Sequence, residues 1–329
     1  MTDFYRTPES NFDKLNDYEF EPHYHEWGDL RMHYLDEGPK DGPVMLLVHG
    51  MPTWSYLYRD FIPKLSSAGF RCVVPDHFGF GKSDKPIDPY WYSIARHTEV
   101  LTSLITALDL RDITLVCQDW GGPIGLAQAA TMPDRFSRLA IMNTWLHHPE
   151  FHYSEAIKRW NKGWHEGGLF ARETPNIGAL IALSGGLLSR EEAVAALISG
   201  AEPSFGTAAG KHVYDAYRAP FRGLPDEAYN GLRRFPLSIP FDDYHSGNGA
   251  AQTLHFKLLR SWTKPIHFIW GGADDIFTES WGRQWASIYT QSTFHLIADA
   301  GHFLQNTHGN EIAERILSCI EGETLKIHP

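Results

Sequence analysis

Short runs of apolar and β-branched residues recur at positions 32–34, 44–49, 71–74, 113–117, 139–142, 267–270 and 293–297, with helix-length stretches between most of them. Strands that alternate with helices predict a mostly parallel sheet with helices on both faces. The runs at 44–48 and 113–117 do not alternate apolar with polar, the pattern of central strands buried on both sides. Each stops in small or turn-forming residues: His49-Gly50-Met51-Pro52 after the first, Asp119-Trp120-Gly121-Gly122 after the second. Ligands of such sheets bind beyond the carboxyl ends of the strands, so these two turns are the first places to expect chemistry.

From about residue 147 to 234 the strand signals vanish. Amphipathic helical windows at 155–164, 177–183 and 191–198 replace them, broken at Gly185-Gly186 and Gly223-Leu224-Pro225, and strand signals resume near His267. This pattern predicts an α/β core from residues 1–147 and 235–329, with 148–234 inserted as a helical cap over the sheet's carboxyl edge. No internal repeat or low-complexity segment interrupts it.

Composition narrows the function classes. The 329 residues carry 29 Lys+Arg and 40 Asp+Glu, a net charge of −11, which speaks against nucleic acid as a partner. With 43% hydrophobic and 21% charged residues the chain can bury a sizeable core. No apolar run approaches the roughly 20 residues that span a bilayer. The start, Met1-Thr2-Asp3-Phe4-Tyr5-Arg6, lacks the basic and apolar segments of a secretory signal, so a cytoplasmic protein without a membrane partner is expected. Cys72, Cys117 and Cys319 are odd in number and widely spaced, and read as reduced core thiols rather than disulfides or zinc ligands.

The segment from Leu115 through Gly125 has the layout of a nucleophile elbow, a buried strand, a sharp turn and then a helix, with small residues around the central one. That central residue is Asp119. A carboxylate there can displace a leaving group from saturated carbon and form an alkyl ester; the alternative is an Asp that caps the following helix. Asp274 follows the 267–270 strand and His302 follows the 293–297 strand, so nucleophile, acid and histidine come in the chain order of the α/β-hydrolase triad. Negative charge that builds on the Asp119 carbonyl during ester hydrolysis needs an oxyanion hole, for which the amides of Met51 and Trp120 are the natural donors. His49 reads as a buried structural histidine bonded to backbone.

These pieces resemble a haloalkane dehalogenase of the α/β-hydrolase superfamily over most of the chain. The matching stretches are Phe20-Glu21-Pro22-His23-Tyr24, His49 through Arg59, Asp76 through Pro86, Gln118-Asp119-Trp120-Gly121-Gly122 and Ala300 through Gln305. Gln118 stands where the related epoxide hydrolases usually carry His. In one branch of the family the triad acid follows the sixth strand; Asn143 is found there, which leaves that role to Asp274. The resemblance implies an α/β-hydrolase fold with a cap and hydrolysis of haloalkanes through an ester on Asp119. It implies no cofactor and no metal.

By the same resemblance two tryptophans hold the departing halide. Trp120 maps directly. Trp164 fits the second role by its spacing to Pro175 and Ile177-Gly178, and Trp160 lies one helical turn earlier. An indole N–H suits a large, weakly hydrated anion. Met51 departs from the Asn or carboxylate usual at its position, and its thioether donates no hydrogen bond. The partners expected are a small apolar halogenated substrate and a halide ion.

Two other readings remain. One is an epoxide hydrolase that uses a tyrosine among Tyr153, Tyr214, Tyr217 and Tyr229 as acid; the other is a non-catalytic fold that binds a small apolar ligand. Gly79-Phe80-Gly81-Lys82-Ser83 lacks the spacing of a phosphate loop and reads as a backbone turn. His147, His148 and His152 near Glu150 read as a solvated hinge into the cap rather than as metal ligands.

Overall fold

A computed structural model of the chain describes residues 1–15, 17–166, 176–184, 188–199, 202–205, 207–241 and 246–327. In chain order its strands are β1 (Phe4–Tyr5), β2 (His23–Trp27), β3 (Leu30–Glu37), β4 (Val44–Val48), β5 (Arg71–Pro75), β6 (Lys85–Pro86), β7 (Ile113–Asp119), β8 (Phe136–Thr144), β9 (Ile266–Gly271) and β10 (Ser292–Ile297). The helices are α1 (Phe61–Ser67), α2 (Ile94–Ala107), α3 (Gly121–Thr131), α4 (Glu155–His165), α5 (Ile177–Ser184), α6 (Arg190–Ser199), α7 (Ala208–Arg218), α8 (Asn230–Leu237), α9 (Gly249–Leu259), α10 (Glu279–Ala286) and α11 (Leu304–Ile327).

Eight strands form one sheet in the order β10-β9-β8-β7-β4-β5-β3-β2, and β1 pairs with β6 in a separate ribbon. The pairs from β5 through β4, β7, β8 and β9 to β10 are parallel; β3 joins β5, and β2 joins β3, antiparallel. Every residue of β4 and β7 is buried, as unbroken apolar strands require when helices cover both faces. Helix α3 packs against both α2 and α9, and α1 packs against α11.

All seven strand signals in the sequence fall on strands of this sheet. The strand His23–Trp27 carried no such signal: its residues are only partly buried or exposed, so the pattern of a covered strand is absent. Helices α4 to α8 lie between β8 and β9, with α8 running three residues past position 234. The break foreseen at Gly185-Gly186, like Pro175, lies outside the described residues. No helix among the described residues is long and apolar enough to cross a membrane.

Two further expectations change. His147 and His148 are buried rather than solvated: His147 Nδ1 lies 2.7 Å from the Tyr153 hydroxyl, and the His148 ring stacks on Phe256 at 3.5 Å. Only His152 of the three is exposed. Cys72 and Cys117 are core thiols, but Cys319 is only partly buried.

Candidate active site

The carboxyl ends of β4, β7, β8 and β9 are neighbours in the sheet, so the turns after them meet. Asp119 closes β7 with φ +51°, the left-handed conformation of a tight elbow, and α3 starts two residues later. The bend requires a close approach of backbone. A side chain at Gly50 would place its Cβ 2.3 Å from Asp119 Oδ1 and 2.7 Å from the Trp120 amide nitrogen. One at Gly122 would place Cβ 1.9 Å from Thr144 Oγ1, the hydroxyl that donates to the Asp119 carbonyl.

The two carboxylate oxygens of Asp119 have different neighbours. The Met51 amide donates to Oδ1 at 2.8 Å, whereas Oδ2 lies 3.5 Å from His302 Nε2. On the other side of the ring, His302 Nδ1 lies 2.8 Å from Asp274 Oδ2. The Asp274 carboxylate also accepts from the Asn143 side-chain amide at 2.8 Å and from the Ile276 backbone N–H at 2.8 Å. Asn143 is in turn fixed to Gly271, accepting from its N–H at 2.7 Å and donating to its carbonyl at 3.2 Å. The acid is therefore clamped from both β8 and the turn after β9. In the sequence Asn143 marks only the alternative acid position; its clamping role depends on strand adjacency, which no local pattern carries.

Burial acts against protonation of His302, but the adjacent Asp274 and Asp119 carboxylates outweigh it and raise the imidazole to about 10. Gln118 donates through Nε2 to the His302 carbonyl at 3.0 Å, and the same amide nitrogen lies 3.3 Å from His302 Nε2.

Above Asp119 lies a cavity of about 120 Å³ whose described lining includes Met51, Trp120, Trp145, Ile157, Trp160, Leu180, Phe277, His302 and Phe303. Trp145 meets Trp120 edge to face at 4.6 Å and stacks on Phe277 at 5.1 Å. Trp160 lines the cavity, while Trp164 packs against Trp160 at 5.6 Å and is not among the described lining residues. Neither are Tyr153, Tyr214, Tyr217 or Tyr229. His49 bonds the backbone on both sides, through the Gly50 carbonyl at 2.7 Å and the His77 N–H at 2.9 Å, as expected of a structural histidine.

The family model for the alpha/beta hydrolase fold matches residues 43–308. A haloalkane dehalogenase of Psychrobacter cryohalolentis is 39% identical over 326 residues, covering 96% of this chain and 97% of its own. Haloalkane dehalogenase 1 of Mycobacterium tuberculosis is 40% identical over 326 residues, covering 96% of this chain and 98% of its own. This chain belongs to the haloalkane dehalogenases. The tetrameric haloalkane dehalogenase DpaA from Paraglaciecola agarilytica NO2 superimposes with a TM-score of 0.81 at 33% identity, over 95% of this chain and 97% of that one.

Against the Asn or carboxylate that the resemblance implies at 51, the structure gives the methionine a location. Met51 donates its backbone amide to Asp119 and also lines the cavity. Trp145, which also lines the cavity, was not singled out in the sequence. It follows β8 directly, so the rule that chemistry collects at the carboxyl ends of strands was the signal that could have found it.

Proposed function

We propose that this protein hydrolyses small haloalkanes to alcohol, halide and a proton through an alkyl ester on Asp119. The observation that carries the proposal is the asymmetry of that carboxylate: Oδ1 is tied to the Met51 amide, while Oδ2 has no backbone donor among the described residues and Asp119 stands at the floor of an indole-lined cavity. In the first step Oδ2 attacks the halogen-bearing carbon in line, and the carbon–halogen electron pair leaves as halide. Trp120 and an indole of α4 would receive the halide. Trp160 lines the cavity and Trp164 buttresses it.

Ester formation also prepares the base. Nε2 of His302 has two neighbours with opposite demands: the Asp119 carboxylate favours a protonated ring, whereas the Gln118 amide can donate only to an unprotonated one. Alkylation removes the charge on Asp119 and tips the balance to the neutral ring. His302, oriented by Asp274, then takes a proton from the water that attacks the ester carbonyl. The Met51 and Trp120 amides, at the positive end of α3, would stabilise the resulting oxyanion. Residues 148–234 would act as the cap that keeps bulk water from the cavity.

His302→Phe tests the mechanism. With a 1-haloalkane it should release about one halide per chain and then stop, with the alkyl mass on the peptide that contains Asp119. Halide release without that mass gain would overturn the covalent route.

A further inference from the structure

A second cavity, of about 490 Å³, lies at β9, β10 and the carboxyl-terminal half of α11 and, among the described residues, shares no lining with the one at Asp119. His267, His295, Arg315, Cys319 and Glu323 line it. Cys319 Sγ lies 3.5 Å from His295 Nε2. His267 Nε2 is paired with Glu323 at 2.5 Å, its Nδ1 lies 2.8 Å from Thr293 Oγ1, and Glu323 also accepts from Arg138 at 3.1 Å.

The two imidazoles differ in character. Burial, then the nearby Arg315 and His267, push the His295 ring down, so at neutral pH it is unprotonated and able to accept the thiol proton. Burial opposes protonation of His267, but Cys319 and Glu323 outweigh it and raise that ring to about 9. Cys319 thus has an unprotonated imidazole in contact with its sulfur and a second, protonated one in the same cavity, a pairing in which the first can serve as base. Among the described lining residues, Arg315 and His267 supply positive charge and Glu323, itself paired with His267 and Arg138, the negative. By contrast, burial raises the thiols of Cys72, to about 12, and Cys117 out of reactive range.

We propose that Cys319, with His295 as its base, is a second nucleophilic site that exchanges with small anionic disulfides. His295 Nε2 takes the thiol proton and the Cys319 thiolate attacks one sulfur of the disulfide. The new S–S bond forms as the old one breaks, and the electron pair leaves on the departing thiolate, which recovers the proton. The disulfide is the oxidant and the site ends as a mixed disulfide. Arg315 provides the counter-charge for the anionic reagent.

The test uses the intact protein with the dianionic reagent 5,5′-dithiobis(2-nitrobenzoate). One thiol per chain should react at pH 7, at least about tenfold faster than N-acetylcysteine, and Cys319→Ser should abolish this phase while halide release continues. His295→Gln should slow the reaction about tenfold at pH 7 but not at pH 10, where a thiol ionises without a base. Arg315→Gln, at an exposed position, should slow the dianionic reagent and leave neutral 2,2′-dithiodipyridine unaffected. A Cys319 no faster than N-acetylcysteine, or an equal loss at both pH values in His295→Gln, would overturn the assignment of the base. Equal loss with both reagents in Arg315→Gln would overturn the preference for anions.

Discussion

The nucleophile proposed at Asp119 must be held firmly and still leave one oxygen free to attack, and a backbone amide on Oδ1 alone among its carboxylate oxygens suits both needs. The Met51 amide fixes Oδ1 at 2.8 Å, so the side chain at 51 is spare for the cavity. A thioether there would give the halide no donor, which on the proposed mechanism would leave the indoles to hold it. Met51→Asn should therefore tighten bromide binding about tenfold, the worth of one hydrogen bond to an anion. Trp160→Phe should weaken binding by a similar factor and Trp164→Phe by less. Bromide quenching of tryptophan fluorescence reads all three, and an equal effect of the two α4 substitutions would refute the ordering. The pH dependence of the two chemical steps should also separate. On the proposed mechanism alkylation does not need a neutral imidazole, whereas ester hydrolysis needs neutral His302 and should fall, relative to alkylation, as the pH drops. Single-turnover halide release and alcohol formation measure them; a common profile would contradict the division of labour.

The elbow works only because α3 approaches β4 and β8 closely enough to fix the turn between them. Gly122 sits against Thr144, whose hydroxyl holds the Asp119 carbonyl. Gly122→Ala should cost about 1–3 kcal/mol of stability and most of the alkylation rate, because the helix must shift away from β8. Adding Thr144→Ala should recover part of the stability, since the two losses share one contact. Urea midpoints of the single and double variants check this, and strict additivity would show that the contact is not the cause. Elements of this kind are what a sequence displays: unbroken apolar runs for β4 and β7, small residues at the bend, and the triad in chain order. The clamp of Asn143 on Asp274 and the meeting of Trp145, Trp160 and Phe277 in one cavity are not visible there. They depend on which strands and helices become neighbours, and a helix face shows its spacing without showing what it packs against.

At the scale of the molecule, His302 lies in the core between two carboxylates, and its protonation is coupled to folding. His302 titrates at about 10 in the folded protein, well above the roughly 6.5 of an unfolded histidine. A group whose folded value is raised lends stability that is fully present below the unfolded value and disappears as the pH climbs through the folded one. The contribution of His302 should thus be complete near pH 6 and lost by about pH 10 to 11. Other groups act on the same limb. Lys85, driven down to about 7 by burial against the pull of Asp76 and Asp84, works in the opposite direction, becoming less of a burden as the pH rises toward the unfolded lysine value. The total stability curve therefore mixes several titrations, and a difference between two proteins isolates one of them. At pH 6.5 His302→Gln should be less stable than the parent by about 3 kcal/mol, because Asp119 and Asp274 lose the cation between them. At pH 10.5 the gap should shrink to about 1 kcal/mol or less, since the parent's imidazole is then largely neutral as well. Urea unfolding at the two pH values gives both differences. A gap that keeps its size would mean that His302 stabilises the fold by packing rather than by charge.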